Sequence, residues 1–526
     1  MWNWQQRSIF QLKFSLIALA TIIVITCNGF WQTAVADVSS AVEETAIEPY
    51  LEAFSDRITE FRLRNGMKFI VLENHDAPVV SFVTYADVGG VDEPDGQTGV
   101  AHFLEHLAFK GTKEIGTTNY AAEKRVLNRL DRVFAQMKTA QNKGDTEKLT
   151  QLSQEFTRLQ ALANNFVEQN EYGKIVDTAG GVGLNAATSA DYTSYFYSFP
   201  ANKLELWMSL ESERFLEPVF REFYKEKQVI LEERRLRTDN SPLGKTIEQF
   251  LGTAFDEHPY QRPTIGYTED IASITRENVR DFFNKYYTPN NLTMVIAGDV
   301  NPKEVKKLAQ TYFGRFPKKP EPPDVEIVEP PQQQTKEFTV ELPTQPWYLE
   351  GYHIPGVDYP NYPIYGVISS LLSDGRTSRL YQSLVEEQQV ALSAQGFSGF
   401  PGDKYPNLML FYAMTAPDRT VDEVATALRE QINLLKTQPV SEAELNRVKT
   451  QLKAGLLRRL DSNLGMARLL AEYEAKTGSW HKLFEDLETI IEVTPEDIQR
   501  VAQTTFTEEN RTVGKLLSSQ GMNDES

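Results

Sequence analysis

The stretch Thr98-Gly-Val-Ala-His102-Phe-Leu-Glu105-His106-Leu-Ala-Phe-Lys-Gly-Thr112 governs the interpretation of the whole chain. On an α-helix the first and fifth residues of His-Phe-Leu-Glu-His lie one turn apart on the same face, so both imidazoles can bind a single metal ion. Glu105 then lies beside that ion. Two ligands do not complete a metal site, and a solvated surface helix can carry the same three side chains. The stretch therefore predicts a candidate metal site that needs a further ligand from elsewhere in the chain.

The composition is that of a globular protein with two or three domains. The chain has 526 residues, of which 41% are hydrophobic and 24% are charged, and these values are typical of folded soluble proteins. The net charge is −19, and the sequence has no long run of Lys and Arg. Nucleic acid is therefore excluded as the main partner, because phosphate binding requires a basic surface.

The N-terminal residues have the pattern of a secretion signal. An apolar run over residues 14–27 follows two basic residues, and Ala34-Val-Ala36 has the small-x-small form of a signal-peptidase site. We predict a cleaved signal peptide over residues 1–36 and a polar lead-in over 37–55. An uncleaved anchor is the alternative, and it is the only membrane contact expected. Cys27 is the only cysteine, so the mature chain would form no disulfide.

The segments around the histidine box alternate between strand and helix patterns. Apolar alternation from Ile58 turns at Asn65-Gly66 and resumes toward Val88, which predicts strands joined by a hairpin. Thr98 is placed to cap the helix that carries His102. Residues 121–170 then have helical spacing with a break at Gly144-Asp145, which predicts a helical hairpin. We interpret it as a packed surface insertion, and a docking surface for a partner chain is the alternative.

Two further segments carry candidate functional residues. The stretch from Gly180 to Thr188 begins with glycines but lacks the Lys-Ser/Thr of a phosphate loop, so it predicts an exposed strand edge. Asn185 and Ala186 on this edge are the candidate contacts for an extended peptide. Glu226 and Glu233 lie two helical turns apart on one helix face, so one carboxylate could bind a metal while the other holds an imidazole. A solvated helix face is the alternative for this pair.

Together these motifs resemble the pitrilysin (insulysin) family of zinc peptidases, the inverzincins, whose box is His-x-x-Glu-His. The most similar branch contains the mitochondrial processing peptidase β subunit and its bacterial relatives. The resemblance covers nearly all of residues 55–525 and includes Ala254-Phe-Asp-Glu-His-Pro-Tyr260 and the stretch from Tyr286 to Asp299. It implies an α+β fold of two homologous α/β units, each an antiparallel sheet flanked by helices, joined by a linker and enclosing a clam-like chamber.

The resemblance also implies domain limits. A zinc-bearing peptidase domain would span residues 56–316 and include the helical insertion at about 121–170. A proline-rich linker would cover 317–336. A repeat of the same fold without a metal box would span 337–520, because that half contains no His-x-x-Glu-His.

Residue roles follow from the same resemblance. His102, His106 and Glu233 would bind Zn²⁺, Glu105 would be the base that acts on the zinc-bound water, and Glu226 would orient a ligand. The interval between His106 and Glu233 exceeds that of the family by about the length of the helical stretch at 121–170. An insertion therefore explains the longer interval.

One departure from the family pattern concerns the second half. Single-chain members carry an Arg and a nearby Tyr there, which hold the substrate, whereas this chain has Val385 and Leu392 in their place. Neither side chain can donate a hydrogen bond. The resemblance thus implies a zinc endopeptidase for extended or unfolded peptides, acting outside the cytoplasm in the periplasm or cell envelope. It would be the catalytic subunit of a heterodimer whose non-catalytic, homologous partner carries the Arg/Tyr pair. The alternatives are a non-proteolytic assembly or scaffold subunit and a lone active enzyme that uses other donors.

Overall fold

The computed structural model describes residues 53–519. The predicted signal peptide and nearly all of the lead-in lie outside this range. Within the described range, no helix combines the length and the apolar character needed to cross a membrane.

The described residues form two sheets with helices around them. The strands of the first sheet are β1 (Ile58–Arg62), β2 (Lys68–Glu73), β3 (Val79–Ala86), β4 (Val182–Thr188), β5 (Thr193–Pro200) and β6 (Leu292–Gly298). Those of the second sheet are β7 (Lys336–Leu342), β8 (Trp347–Ile354), β9 (Ala391–Phe400), β10 (Asn407–Thr415) and β11 (Arg511–Ser518).

The helices of the first half are α1 (Val100–Leu107), α2 (Tyr120–Asn142), α3 (Thr146–Asn164), α4 (Glu171–Thr178), α5 (Leu204–Leu216), α6 (Phe223–Arg234), α7 (Pro242–Ala254), α8 (Thr268–Ser273), α9 (Arg276–Tyr286) and α10 (Pro302–Tyr312). Those of the second half are α11 (Tyr362–Ser373), α12 (Val421–Thr437), α13 (Glu442–Leu460), α14 (Asn463–Thr477), α15 (Lys482–Glu492) and α16 (Pro495–Thr505). A π-helical turn, Arg235–Asp239, continues α6, and another spans Tyr381–Glu387.

The two sheets have the same topology. The first has the order β1-β2-β6-β3-β5-β4 and the second the order β7-β11-β8-β10-β9. When β1 is left out, each sheet has five strands. In both sheets the fifth strand along the chain, β6 or β11, lies between the first and the second. That strand is antiparallel to the second and therefore parallel to the first, so each sheet contains one parallel pair, β2–β6 and β7–β11. The architecture is the predicted α+β pair of homologous units, with mixed rather than wholly antiparallel sheets.

Each sheet is also covered by a helix from the other half of the chain. Helix α14 packs on β3 and β6, where Met466 and Leu470 are buried against Val83 and Val295. In return α7 packs on the second sheet through Phe250. A Cβ on Gly351 of β8 would lie 2.9 Å from the Phe250 ring, so that glycine makes room for the helix. The two halves therefore share apolar cores across the predicted boundary.

The predicted linker and insertion have simple local structures. Residues 317–335 contain no helix or strand. The side chain of Glu329 accepts hydrogen bonds from the backbone N–H groups of residues 256–258, which ties the linker to the first half. Helices α2 and α3 pack together as a hairpin, and Asp145 caps α3 by accepting from the Lys148 N–H group at 2.9 Å.

The hairpin packs on α6, the helix that carries Glu226 and Glu233. The Tyr224 ring contacts the rings of Phe134 and Phe156, with centroid distances of 5.0 and 4.9 Å. The insertion therefore supports the back of this helix.

Candidate metal centre

Helix α1 holds the histidine box, and its N-terminus is capped differently from the prediction. Thr98 is not the cap: its hydroxyl donates to Asp270 Oδ2 at 2.6 Å. The cap position is Gly99, with φ +88°. The buried carboxylate of Glu93 accepts from the N–H groups of Gly99 and Ala101, both at 2.8 Å. A carboxyl group from the preceding loop thus accepts hydrogen bonds from backbone N–H groups at the start of the helix.

Three potential ligand atoms converge between α1 and α6. Glu233 Oε2 lies 3.8 Å from His102 Nε2 and 3.5 Å from His106 Nε2. All three donor atoms lie within 4.8 Å of one another. Ligand atoms on a shared tetrahedral zinc ion are about 3.3 Å apart, since each bond is about 2.0–2.1 Å long. The donor types suit Zn²⁺, and the three atoms would share one ion if they moved closer together.

A second layer of charged groups surrounds these donors. Glu226 Oε2 lies 3.4 Å from His106 Nδ1, and its other oxygen forms an ion pair with Lys110 Nζ at 2.6 Å. Arg237 Nη1 binds Glu233 Oε1 at 2.7 Å. The sequence prediction included Glu226 but not Lys110 or Arg237. Arg237 follows Glu233 by four positions, which is the spacing of neighbours on one helix face. Lys110 lies beyond the end of α1, and its pair with Glu226 joins two elements.

The pKa values of the cluster follow from burial and from these pairs. Burial lowers the pKa of His102 to about 4. Burial opposes protonation of His106 as well, but its hydrogen bonds to Glu226 and Glu233 raise its pKa to about 9. The pKa of Glu233 falls to about 2, because contact with His106, His102 and Arg237 outweighs its burial. Glu233 is therefore ionised at neutral pH, as a metal ligand requires.

Glu105 lies beside the donors and is held by a strand of the first sheet. Burial raises the pKa of Glu105, while the hydroxyl of Thr188 donates to its Oε2 at 2.5 Å. A raised pKa suits a carboxylate that accepts a proton during a reaction. The sequence pattern places Thr188 in the same strand as Asn185 and gives it no role.

A cavity of about 430 Å³ adjoins the cluster. Glu105 and His106 form part of its wall, and the remaining lining residues are Phe109, Lys110, Gly116, Glu222 and the segment 167–172. Every lining residue belongs to the first half of the chain. Within the described residues, the second half contributes no side chain to this wall.

Strand β4, which carries Asn185 and Ala186, lies at the edge of the first sheet. Among the strands of residues 53–519 it pairs only with β5, and its register shifts between Val182 and Asn185. Asn185 is exposed, and its Oδ1 accepts from the backbone N–H of Ala186 at 2.9 Å. Val182 on the same strand is 66% exposed. Because β4 packs beside α1, an open backbone edge lies next to the histidine box.

In the second half, Val385 and Leu392 stand where the sequence resemblance leads us to expect an Arg and a Tyr. Val385 lies in the π-helical turn of that half, and Leu392 on β9 is 52% exposed. Arg379 lies nearby, but its guanidinium makes two hydrogen bonds of 2.8 Å to Glu444. The charge of Arg379 is therefore already paired with Glu444 within the second half.

Two family descriptions match the sequence. "Insulinase (Peptidase family M16)" matches residues 68–130 and 158–268, and the gap between them falls in the α2–α3 hairpin. "Peptidase M16 inactive domain" matches residues 273–452. The chain belongs to the M16 peptidase family. The resemblance drawn from the sequence motifs is thereby confirmed.

The M16 relatives include named zinc proteases. Zinc protease PqqE from Helicobacter pylori is 29% identical over 419 residues, covering 78% of this chain and 82% of the relative. A solved structure of a protease from Helicobacter pylori is similar with a TM-score of 0.74 and 26% identity, over 87% of this chain and 99% of that one. The periplasmic protease PqqL from Escherichia coli has the same fold, with a TM-score of 0.65 and 17% identity, over 88% of this chain but 48% of PqqL.

Proposed function

We propose that this M16 chain is a zinc-dependent endopeptidase that cleaves extended or unfolded peptides. The observation that carries the proposal is the convergence of His102, His106 and Glu233 beside Glu105. A cavity whose wall includes Glu105 and His106 adjoins this cluster. The zinc proteases among its relatives support the same chemistry.

The residues would divide the work as follows. His102 and His106 would hold Zn²⁺ through their Nε2 atoms, and Glu233 through Oε2. When bound, the ion lowers the pKa of its water toward neutrality and polarises the peptide carbonyl. Glu105 would accept the proton of the attacking water. Arg237 would keep the second oxygen of Glu233 turned away from the ligand position, because it binds that oxygen.

Substrate binding is assigned to the edge of β4. An extended peptide can add to an open sheet edge through backbone hydrogen bonds, and Asn185 and Ala186 would be its first contacts. This position suits unfolded rather than folded substrates, since only an extended backbone can pair along a strand.

A second chain would complete the site. The cavity beside the cluster is lined only by residues of the first half. Helices α7 and α14 each cover the sheet of the opposite half of this chain. The clam-like chamber would then form between this chain and a homologous, non-catalytic partner that carries the Arg/Tyr pair. The structural similarity covers only 48% of PqqL, which is compatible with a chain that works together with a second chain of similar size.

The partner requirement predicts a large difference in activity. We expect the zinc-loaded chain alone to cleave an unstructured, dye-labelled casein peptide at least about 100-fold more slowly than the same chain mixed with its co-encoded or co-purified relative, since one missing oxyanion donor costs about that much. Steady-state rates of both samples provide the measurement. Equal rates would contradict the heterodimer. Zinc binding without cleavage in any mixture would favour the scaffold alternative.

Glu226 is proposed to orient His106 rather than to bind the metal. Glu226→Gln is therefore expected to weaken zinc affinity or activity by about 10–100-fold. Competition with a chelator of known affinity measures the first quantity and the casein assay the second. Glu232→Gln on the same helix is the matched control. It should change neither zinc affinity nor activity, because the Glu232 side chain is about half exposed and forms its ion pair with Arg235. Equal effects of the two substitutions would contradict the assigned role.

We also propose that the protein acts outside the cytoplasm. The predicted signal sequence and the periplasmic description of PqqL support this location. The exported chain is expected to begin at Asp37, and mass spectrometry of its N-terminal peptide measures the cleavage site. A chain that keeps residues 1–36 would instead support the anchor.

A further inference from the structure

The turn between β4 and β5 is held by the second half of the chain. Thr188, which donates to Glu105, is the last residue of β4, and residues 189–192 form the turn that follows it. Asp191 in this turn is 2% exposed. Its Oδ2 accepts from the backbone N–H groups of Asp403 and Lys404 at 2.8 and 3.1 Å, and its Oδ1 accepts from the Tyr260 hydroxyl. Asp403 and Lys404 belong to the β9–β10 loop of the metal-free half.

The approach of this loop depends on a glycine. A Cβ on Gly402 would lie only 2.3 Å from Asp191 Oδ2, so no other residue fits there without displacing the loop or the carboxylate. The loop is also bound to helix α14, because Lys476 Nζ forms an ion pair with Asp403 Oδ1 at 2.5 Å. Lys404 adds a further tie through its ion pair with Asp87 at 2.7 Å.

The other side of the turn is fixed by the first half. The N–H groups of Gly90 and Val91 donate to the carbonyls of Ser189 and Ala190 at 3.1 and 2.9 Å. A Cβ on Gly89 would lie 2.5 Å from the Ala190 carbonyl oxygen. The turn is therefore held between segments of both halves. Asp191 makes its hydrogen bonds to the second half, and the Tyr192 ring lies against Lys476.

We propose that Asp191 is a positioning residue through which the loop Gly402–Lys404 fixes the end of β4, and with it Thr188 against Glu105. The inference rests on the proposed function of Glu105. A buried carboxylate with three donors is a stiff link, since hydrogen bonds to a charged acceptor are stronger than neutral ones. The metal-free half thus contributes to the geometry of the active site without a residue on the cavity wall.

Hydrogen exchange of the zinc-loaded full chain tests the link without relying on activity. In Asp191→Asn the acceptor loses its charge, and the amide can keep both backbone contacts only if its nitrogen donates to the Tyr260 hydroxyl, which must then give up its own bond to residue 191, so the three contacts become weaker. Amides in residues 182–192 should exchange at least about 10-fold faster, while β6 and β8 keep their rates. Unchanged exchange in 182–192, or equal acceleration in both sheets, would overturn the proposal. Asp358→Asn, at an exposed position of the second half, is the control.

A second variant leaves the carboxylate in place. Gly402→Ala should accelerate exchange in the same segment, because the added methyl group pushes the loop away from Asp191. Gly366→Ala is the matched control, since a Cβ there meets no atom within 4 Å. Equal exchange profiles of these two variants would show that the loop does not hold the turn.

Kinetics of the active preparation separate positioning from general stability. Asp191→Asn should lower kcat about 10-fold and change KM less than about 3-fold, because Thr188 and Glu105 act in the chemical step. In a Thr188→Val background the same substitution should have almost no further effect. Effects that multiply would refute a route through Thr188. Activity that survives Glu105→Gln would instead refute the proposed mechanism and leave the exchange result standing.

Discussion

Replacing Glu105 with glutamine is expected to lower kcat for peptide cleavage by about 10²- to 10⁴-fold, the range that general acid–base catalysis contributes. The amide has nearly the shape of the carboxylate, and its oxygen can still accept from the Thr188 hydroxyl. It cannot take a proton from water. Bound zinc should be unchanged, because Glu105 is not among the three converging donors.

The measurement for Glu105→Gln combines steady-state cleavage of the casein peptide with zinc content by atomic absorption. Both are made on the chain mixed with its partner, and Glu232→Gln serves as a control for removing a carboxylate near the site. Cleavage within about 10-fold of the unsubstituted chain would refute Glu105 as the base.

Replacing Glu233 with glutamine is expected to remove the metal. A neutral amide is a much poorer zinc ligand than a carboxylate, and the substitution also leaves Arg237 without its partner on Glu233. Zinc affinity should fall by more than the roughly 10–100-fold expected for a group that only orients a ligand. Peptidase activity should fall with the zinc content.

Dialysis against a chelator, followed by zinc analysis, measures the effect of Glu233→Gln. The comparison with Glu226→Gln separates a ligand from an orienting group, and Glu232→Gln shows the effect of losing an exposed charge on the same helix. Zinc content equal to that of the unsubstituted chain would remove Glu233 from the ligand set.

Much of the fold followed from local patterns in the sequence. The Asn65-Gly66 turn predicted the β1–β2 hairpin, and the break at Gly144-Asp145 predicted the α2–α3 hairpin, because turn and capping chemistry depends on near neighbours. The topology repeated in both sheets was expected only from the family resemblance. The parallel pairs β2–β6 and β7–β11 join strands far apart in sequence, and no local pattern encodes them.

The packing of α7 and α14 on the sheets of the opposite halves could not be predicted either, because it also joins segments far apart in sequence. Both α7 and α14 have an apolar face, but the sequence does not specify which sheet that face covers. The resemblance suggested two units separated by a linker, whereas Phe250 and Leu470 pack on the sheet of the opposite half. Contacts between distant segments depend on shape, such as the space that Gly351 leaves for Phe250.

At the candidate site, residue spacing within a helix predicted which side chains share a face. Contacts between different elements could not be predicted from the sequence. The four-residue interval between His102 and His106 and the seven-residue interval between Glu226 and Glu233 placed each pair on one helix face. The prediction of Thr98 as helix cap was wrong, because Glu93 from an earlier loop occupies that role. The Thr188 contact to Glu105 joins a strand to a helix and had no sequence signal.

The most direct test of the proposed zinc centre is crystallographic. Anomalous diffraction on either side of the zinc absorption edge, from crystals of the purified mature chain, locates the ion independently of activity. We predict one zinc peak bonded to His102 Nε2, His106 Nε2 and Glu233 at about 2.0–2.2 Å, with water in the remaining position. The absence of zinc at this cluster in crystals of the zinc-loaded chain, or a fourth protein ligand that closes the site, would refute the proposed zinc centre.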